Sequence, residues 1–359
     1  MAGRIVRNRQ EGESHEMRLK SFAAGLMAAT AIAVSAGLAD AAPVKLTISS
    51  WAPPGHGMNA QMWPQLIKMI EEATNGRVTA QIKYKLASPP AQFDLIQDGA
   101  ADITWIFHGY TPGRFTVTKL IELPGYEGGA EAASVAYWRA YEKFLKKANE
   151  HRGVMVIGLM THGPGQLHTV KGKKITKLSQ IKGLKLRLGG GVSGDVGAAL
   201  GATGIRVPAP KVYETLSSHA ADGVMFPMES RKGFKLDEVA PNVYMMPGGF
   251  YRGSFAIIMN PDRFRSLSPE DQKALREKVF GEPLSRMAGR VWETNDVKAI
   301  KAAKENPAVS VTVASEEDQK AYAKIAGKIR DKVLKEVAAK GIDGKAVMAY
   351  IREQMKAYK

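Results

Sequence analysis

The 359-residue chain contains no cysteine. That absence excludes a disulfide framework, a thiolate metal site, a cysteine nucleophile and a lipid-modified cysteine. Acidic residues are scarce beside basic ones, 35 Asp+Glu against 51 Lys+Arg. Past residue 41 no apolar run approaches the ~20 residues that a membrane span needs. The seven histidines (His15, His56, His108, His151, His162, His168 and His219) show no H-x-H or H-x-x-x-H spacing. H-E-x-x-H, Walker-type phosphate loops and G-x-S-x-G elbows are also missing. No catalytic constellation, metal site or cofactor is therefore expected.

What is present reads as an exported globular protein. The apolar fraction of 45% is ordinary for a folded chain. Met17-Arg18-Leu19-Lys20 is a short basic start, followed by the alanine-rich apolar run Phe22–Leu38 and the small residues of Ala39-Asp40-Ala41. This is the pattern of a secretory signal peptide cleaved before Ala42, with residues 1–16 an extension from an upstream start codon. With no cysteine to carry a lipid, the periplasm is the expected location. The leader carries five basic and four acidic residues, so the mature chain keeps 46 against 31. That excess could serve nucleic acid, but the lysines are spread along helical stretches such as Lys320–Lys340, without clustered arginines and interleaved aromatics. A solvated surface is the expectation, and no nucleic-acid partner.

From Val44 onward, strand-like and helix-like segments alternate. Lys45–Trp51, Arg77–Tyr84, Asp102–Phe107, Gly153–Met160, Gly183–Leu188, Asp222–Phe226 and Ser254–Met259 read as strands. Met58–Thr74, Pro90–Gln97, Ala130–Glu150, Asp195–Leu200 and Val212–Ser218 read as helices. The pattern predicts an α/β architecture with largely parallel sheets. Ser268-Pro269-Glu270-Asp271 and Ser315 with Asp318 are helix starts, so the last hundred residues are mainly helical. No flexible linker interrupts the body, which favours two lobes joined by crossing strands, with a cleft between them.

Gly189-Gly190-Gly191-Val192-Ser193-Gly194 contains G-x-G-x-x-G between a strand and a helix, with Glu214 twenty residues on. A dinucleotide site would use that pattern, but three adjacent glycines match it easily, and a tight turn with free N–H groups is the better reading. Arg187 directly precedes the glycines at a strand end. There its planar fork can hold a carboxylate through two parallel hydrogen bonds, although a surface arginine fits the local pattern equally well. His162 and His168 follow a buried strand in what reads as a loop. Trp51, Trp105, Phe107, Tyr110, Phe226, Phe250 and Tyr251 stand near strand ends, where core packing is the default and several would face a cleft.

Several segments, in order, resemble the solute-binding proteins of TRAP transporters, the DctP-like family. They are Glu71-Glu72-Ala73-Thr74-Asn75-Gly76-Arg77-Val78, Leu95–Ile103 with Gly99 and Asp102, Leu178-Ser179-Gln180-Ile181-Lys182-Gly183-Leu184-Lys185-Leu186-Arg187, and Val212–Leu216 followed by Ala221-Asp222-Gly223 and Pro227. The resemblance spans nearly the whole mature chain. It implies a periplasmic-binding-protein-like fold: lobe I over 42–165, lobe II over 166–253, and a return to lobe I with C-terminal helices over 254–359. It also implies an arginine, here Arg187, that pairs with a ligand carboxylate, and delivery to the small and large membrane subunits of an ion-gradient-driven permease. Where many members carry asparagine before Pro227 this chain has Phe226. With Trp51 and Phe107, that favours a hydrophobic or aromatic monocarboxylate. His168, Gln166 and Tyr251 are the expected hydrogen-bonding residues. The alternatives are an exported α/β enzyme acting on a carboxylate, and a ligand-sensing protein that presents its closed form to a receptor.

Overall fold

Buried Leu46 and Ile48 alternate with outward Lys45 and Thr47, so Val44–Ser50 forms a strand, β1. The computed structural model describes residues 43–358; the expected leader over 1–41 lies outside the described residues. One sheet joins β1 to β2 (Val78–Tyr84), β3 (Ile103–Phe107), β4 (Met155–Thr161) and β10 (Ser254–Met259), in the order β2-β1-β3-β10-β4. The second holds β5 (Gly165–Thr169), β6 (Lys185–Leu188), β7 (Thr203–Arg206), β8 (Gly223–Pro227), β9 (Asn242–Met245) and β11 (Ser310–Val313), in the order β11-β9-β5-β8-β6-β7.

The α/β class stands, but the sheets are mixed where largely parallel ones were expected. β10 runs antiparallel to β3 and β4, and β5 runs antiparallel to β8 and β9. The cause is the path of the chain. It leaves the first sheet after β4, enters the second three residues later at β5, and returns through residues 246–253 to β10. A strand that arrives from the crossing begins where its neighbours end, so it must run against them. Residues 254–359 are also not confined to the first sheet, because β11 pairs in parallel with β9.

Helices cover these sheets. Met58–Met62 is a π-turn that leads into α1 (Trp63–Ala73), and Met58, Met62, Trp63, Leu66 and Ile70 form its buried side. The expected helix 130–150 is shorter as an α-helix, α2 (Ala130–Ala140), continued by a π-turn and a 3-10 turn. Between β6 and β7 lies α3 (Val192–Ala199). Both predicted caps form. Ser268 Oγ accepts from the Asp271 N–H to start α4 (Pro269–Lys278), and Ser315 Oγ accepts from the Asp318 N–H to start α6 (Glu316–Ala338). Between them α5 (Glu282–Glu305) packs on α2, β4 and β11, and so reaches both sheets. The final helix, α7 (Gly344–Ala357), packs against α2.

Candidate functional site

The strand ends converge on a compact cavity walled largely by aromatic rings. β6 delivers Arg187 to it. Leu186 and Leu188 point into the core, and the side chain between them turns towards the cavity. Arg187 is only 1% exposed. Its Nε donates to the Val207 carbonyl at 2.8 Å, and a terminal nitrogen donates to the Tyr110 hydroxyl at 3.2 Å. The guanidinium carbon lies 4.6 Å from the Phe226 ring centroid, a cation–π contact. Among the described residues no carboxylate forms an ion pair with it. A buried cation without a counter-charge is costly.

The glycines after Arg187 have a backbone role. Gly190 adopts φ +97°, and a Cβ there would collide with the backbone oxygen of Gly109, so the turn lets a first-sheet segment approach closely. The free N–H at the start of α3 already has an anion: Val192 N–H donates to Glu122 Oε2 at 2.8 Å. Glu122 Oε1 accepts from Ser254 Oγ at 2.5 Å, and the chain continues through His108 to His151. Burial pushes the Glu122 carboxyl up to about 7, against those hydrogen bonds and the Lys119 charge. Glu214, the acidic residue of the dinucleotide pattern, is exposed and paired with Lys211.

Aromatic rings make most of the wall. Trp51 stacks on Trp105 with centroids 4.0 Å apart and planes 11° from parallel, and its Nε1 donates to the Trp105 carbonyl. Phe107 meets Tyr110 edge-on at 4.9 Å, and Phe226 stacks on Phe234 at 5.4 Å. Tyr251 also lines the cavity, but its hydroxyl, expected to face a ligand, donates to the Met225 carbonyl at 3.0 Å. Burial raises that phenol's pKa.

Two expected contacts lie elsewhere. Gln166 and His168 are on β5, which the sequence reads as loop because Gly165-Gln166-Leu167-His168 has little β-branching. The Gln166 amide makes two hydrogen bonds to the backbone of Met246. His168 Nε2 meets the Phe226 carbonyl at 3.1 Å, while its Nδ1 faces Arg231. Both side chains brace strands behind the cavity. Burial, with Arg231 nearby, drops the His168 pKa to about 3.

The sequence reading missed His56, Phe234, Phe255, Glu229, Ser230 and Trp292 as wall residues and left His162 undecided. His162 is buried with its pKa down to about 4, mainly by desolvation. His56 sits in Pro53-Pro54-Gly55-His56-Gly57, just past the end of β1, and that strand-end position was the available signal. Trp292 comes from mid-α5, where nothing local marks it.

The model of the family described as bacterial extracellular solute-binding protein, family 7 (DctP), matches residues 48–337. The crystal structure of a TRAP periplasmic solute-binding protein from Bordetella bronchiseptica, with (R)- and (S)-mandelate bound, is 39% identical. It superposes with a TM-score of 0.85 over 88% of this chain and 100% of that one. A TRAP solute-binding protein from Rhodoferax ferrireducens, with copurified benzoate, is 25% identical at TM-score 0.81, over 88% of this chain and 98% of its own. In Comamonas testosteroni, the outer membrane transporter protein TsaT is 28% identical over 87% of this chain and 92% of its own. Among the described residues no helix is long and apolar enough to cross a membrane.

Proposed function

Since the chain belongs to family 7 of the bacterial extracellular solute-binding proteins, we propose that it captures an aromatic monocarboxylate in the periplasm and delivers it to the membrane subunits of a TRAP-type permease. The observation that carries this reading is Arg187, a buried guanidinium without a carboxylate partner among the described residues, facing a cavity walled by rings. Its fork takes the ligand carboxylate through charge-assisted hydrogen bonds. Tyr110, whose hydroxyl accepts from both Arg187 and the Ala209 N–H, holds the fork in place. Trp51, Phe107, Phe226 and the ring of Tyr251 cover the apolar body. Mandelate and benzoate, the ligands of the two structural neighbours, are both aromatic acids, which supports the same class here. The two crossing segments, residues 162–164 and 246–253, are the natural hinges for opening and closing around the ligand.

Titration calorimetry on the purified, ligand-stripped protein tests the reading with benzoate, mandelate, a dicarboxylate and a sugar acid. Benzoate or mandelate should bind, and Arg187→Ala should weaken them by about 10–150-fold, the value of a charge-assisted pair. Binding of sugar acids alone would keep the family and remove the aromatic pocket. Unchanged affinity in Arg187→Ala would remove the anchor.

A further inference from the structure

The cavity has two chemically different ends. One is Arg187. From there one wall runs through Phe226 to Phe234, and the Phe234 ring lies 5.1 Å from that of His56. The other wall runs from Tyr110 through Trp51 to Trp105, 5.8 Å from the same imidazole. Two files of neighbouring rings therefore link the guanidinium to His56, two rings on one side and three on the other.

His56 is 1% exposed. The Met58 N–H donates to its Nδ1 at 3.2 Å, which leaves the ring proton on Nε2. Nε2 is buried with no hydrogen-bond partner, and Glu229 Oε2 at 3.6 Å is too distant to serve. Trp292 is packed edge-on to His56, with centroids 5.3 Å apart, and its Nε1–H is also buried and unpartnered. Both rings line the cavity, as does Glu229. The other Glu229 oxygen, Oε1, already accepts from Ser230 Oγ at 2.9 Å. Two unpartnered donors, on neighbouring rings, and a carboxylate oxygen 3.6 Å from one of them thus belong to side chains that line the same cavity. Buried donors left unpaired are rare because each forfeits its hydrogen bond to water.

Building on the carboxylate reading of Arg187, we propose that this end is a hydroxyl-recognising subsite and that the ligand class is aromatic acids bearing a ring hydroxyl. A phenolic oxygen offers lone pairs to His56 Nε2–H and Trp292 Nε1–H and gives its own hydrogen to Glu229 Oε2. One hydroxyl satisfies all three groups. A plain ring edge or a methyl group leaves both donors unpaired, and a second carboxylate meets the charge of Glu229.

The test compares benzoate, 3-hydroxybenzoate and 4-hydroxybenzoate by titration calorimetry on the wild-type protein, then on His56→Phe and Trp292→Phe. At least one hydroxybenzoate should bind wild type about tenfold or more tightly than benzoate, as expected for a site that leaves polar groups unpaired without the hydroxyl. In each variant the ratio should fall towards one. Equal binding of all three acids to wild type overturns the subsite while leaving Arg187 as the anchor. A preference that survives both substitutions overturns it too. Binding by none of the three removes the carboxylate reading, and this inference with it.

Discussion

Arg187 shows how far one residue can be read in isolation. Its place at a strand end before three glycines is visible in the sequence, but whether its charge is solvated or buried is decided by Val207, Tyr110 and Phe226, which lie 20 to 77 residues away. Arg187→Lys keeps the charge and loses the planar fork, so an aromatic acid should bind at least about tenfold more weakly in calorimetry. Trp51, Phe107 and Phe226 were legible because bulky rings at strand ends face whatever lies there. Gln166 and His168 were misplaced because alternation along an unrecognised strand decides which side chains face the cavity. For His56 the strand-end position is the one local signal and for Trp292 there is none, since an unpaired N–H is a property of the surrounding shell.

The elements divide by how local their causes are. Serine caps act within a few residues, and both sit where the sequence places them; the positive-φ turn at Asn75-Gly76 and the alternation in β1 are equally local. Ser268→Ala removes the acceptor for the Asp271 N–H and should lower unfolding stability by about 1 kcal/mol in chemical denaturation. The direction of β5 and β10 follows from the path between sheets, which no local pattern encodes. The turn Gly189–Gly191 is intermediate. Glycine is visible, but the approach of Gly109 to Gly190 is not. Gly190→Ala should lower both melting temperature and ligand affinity, because the new methyl displaces the Gly109 segment and, next to it, the Tyr110 that steadies Arg187. Loss of stability alone, with affinity intact, would show that the two segments are not mechanically joined.

For the molecule as a whole, burial sets two groups of residues against each other as pH changes. His151 and His168 are held down to about 3 and His162 to about 4, so below pH 6.5 the unfolded chain takes up protons that the native one refuses. That stability is present above pH 6.5 and lost on acidification. Glu122 and Asp296, both raised to about 7 by desolvation, act the other way: their penalty is full above pH 7 and relieved as pH falls towards 4. The histidines, joined by His108 whose pKa is also well below normal, outnumber the carboxyls. The melting temperature should therefore fall between pH 6.5 and 4.5 in differential scanning fluorimetry. Glu122→Gln removes one opposing term, so it should raise the melting temperature by several degrees at pH 8, corresponding to about 3 kcal/mol at most, and change it little at pH 5. The stacked pair Trp51–Trp105 has a further consequence. Two of the protein's five indoles lie parallel at 4.0 Å in the wall of the binding cavity. Chromophores so close share their excited states, so a ring arriving beside Trp51 should change the near-ultraviolet circular dichroism and the tryptophan emission, a dye-free readout of occupancy that a ligand titration checks.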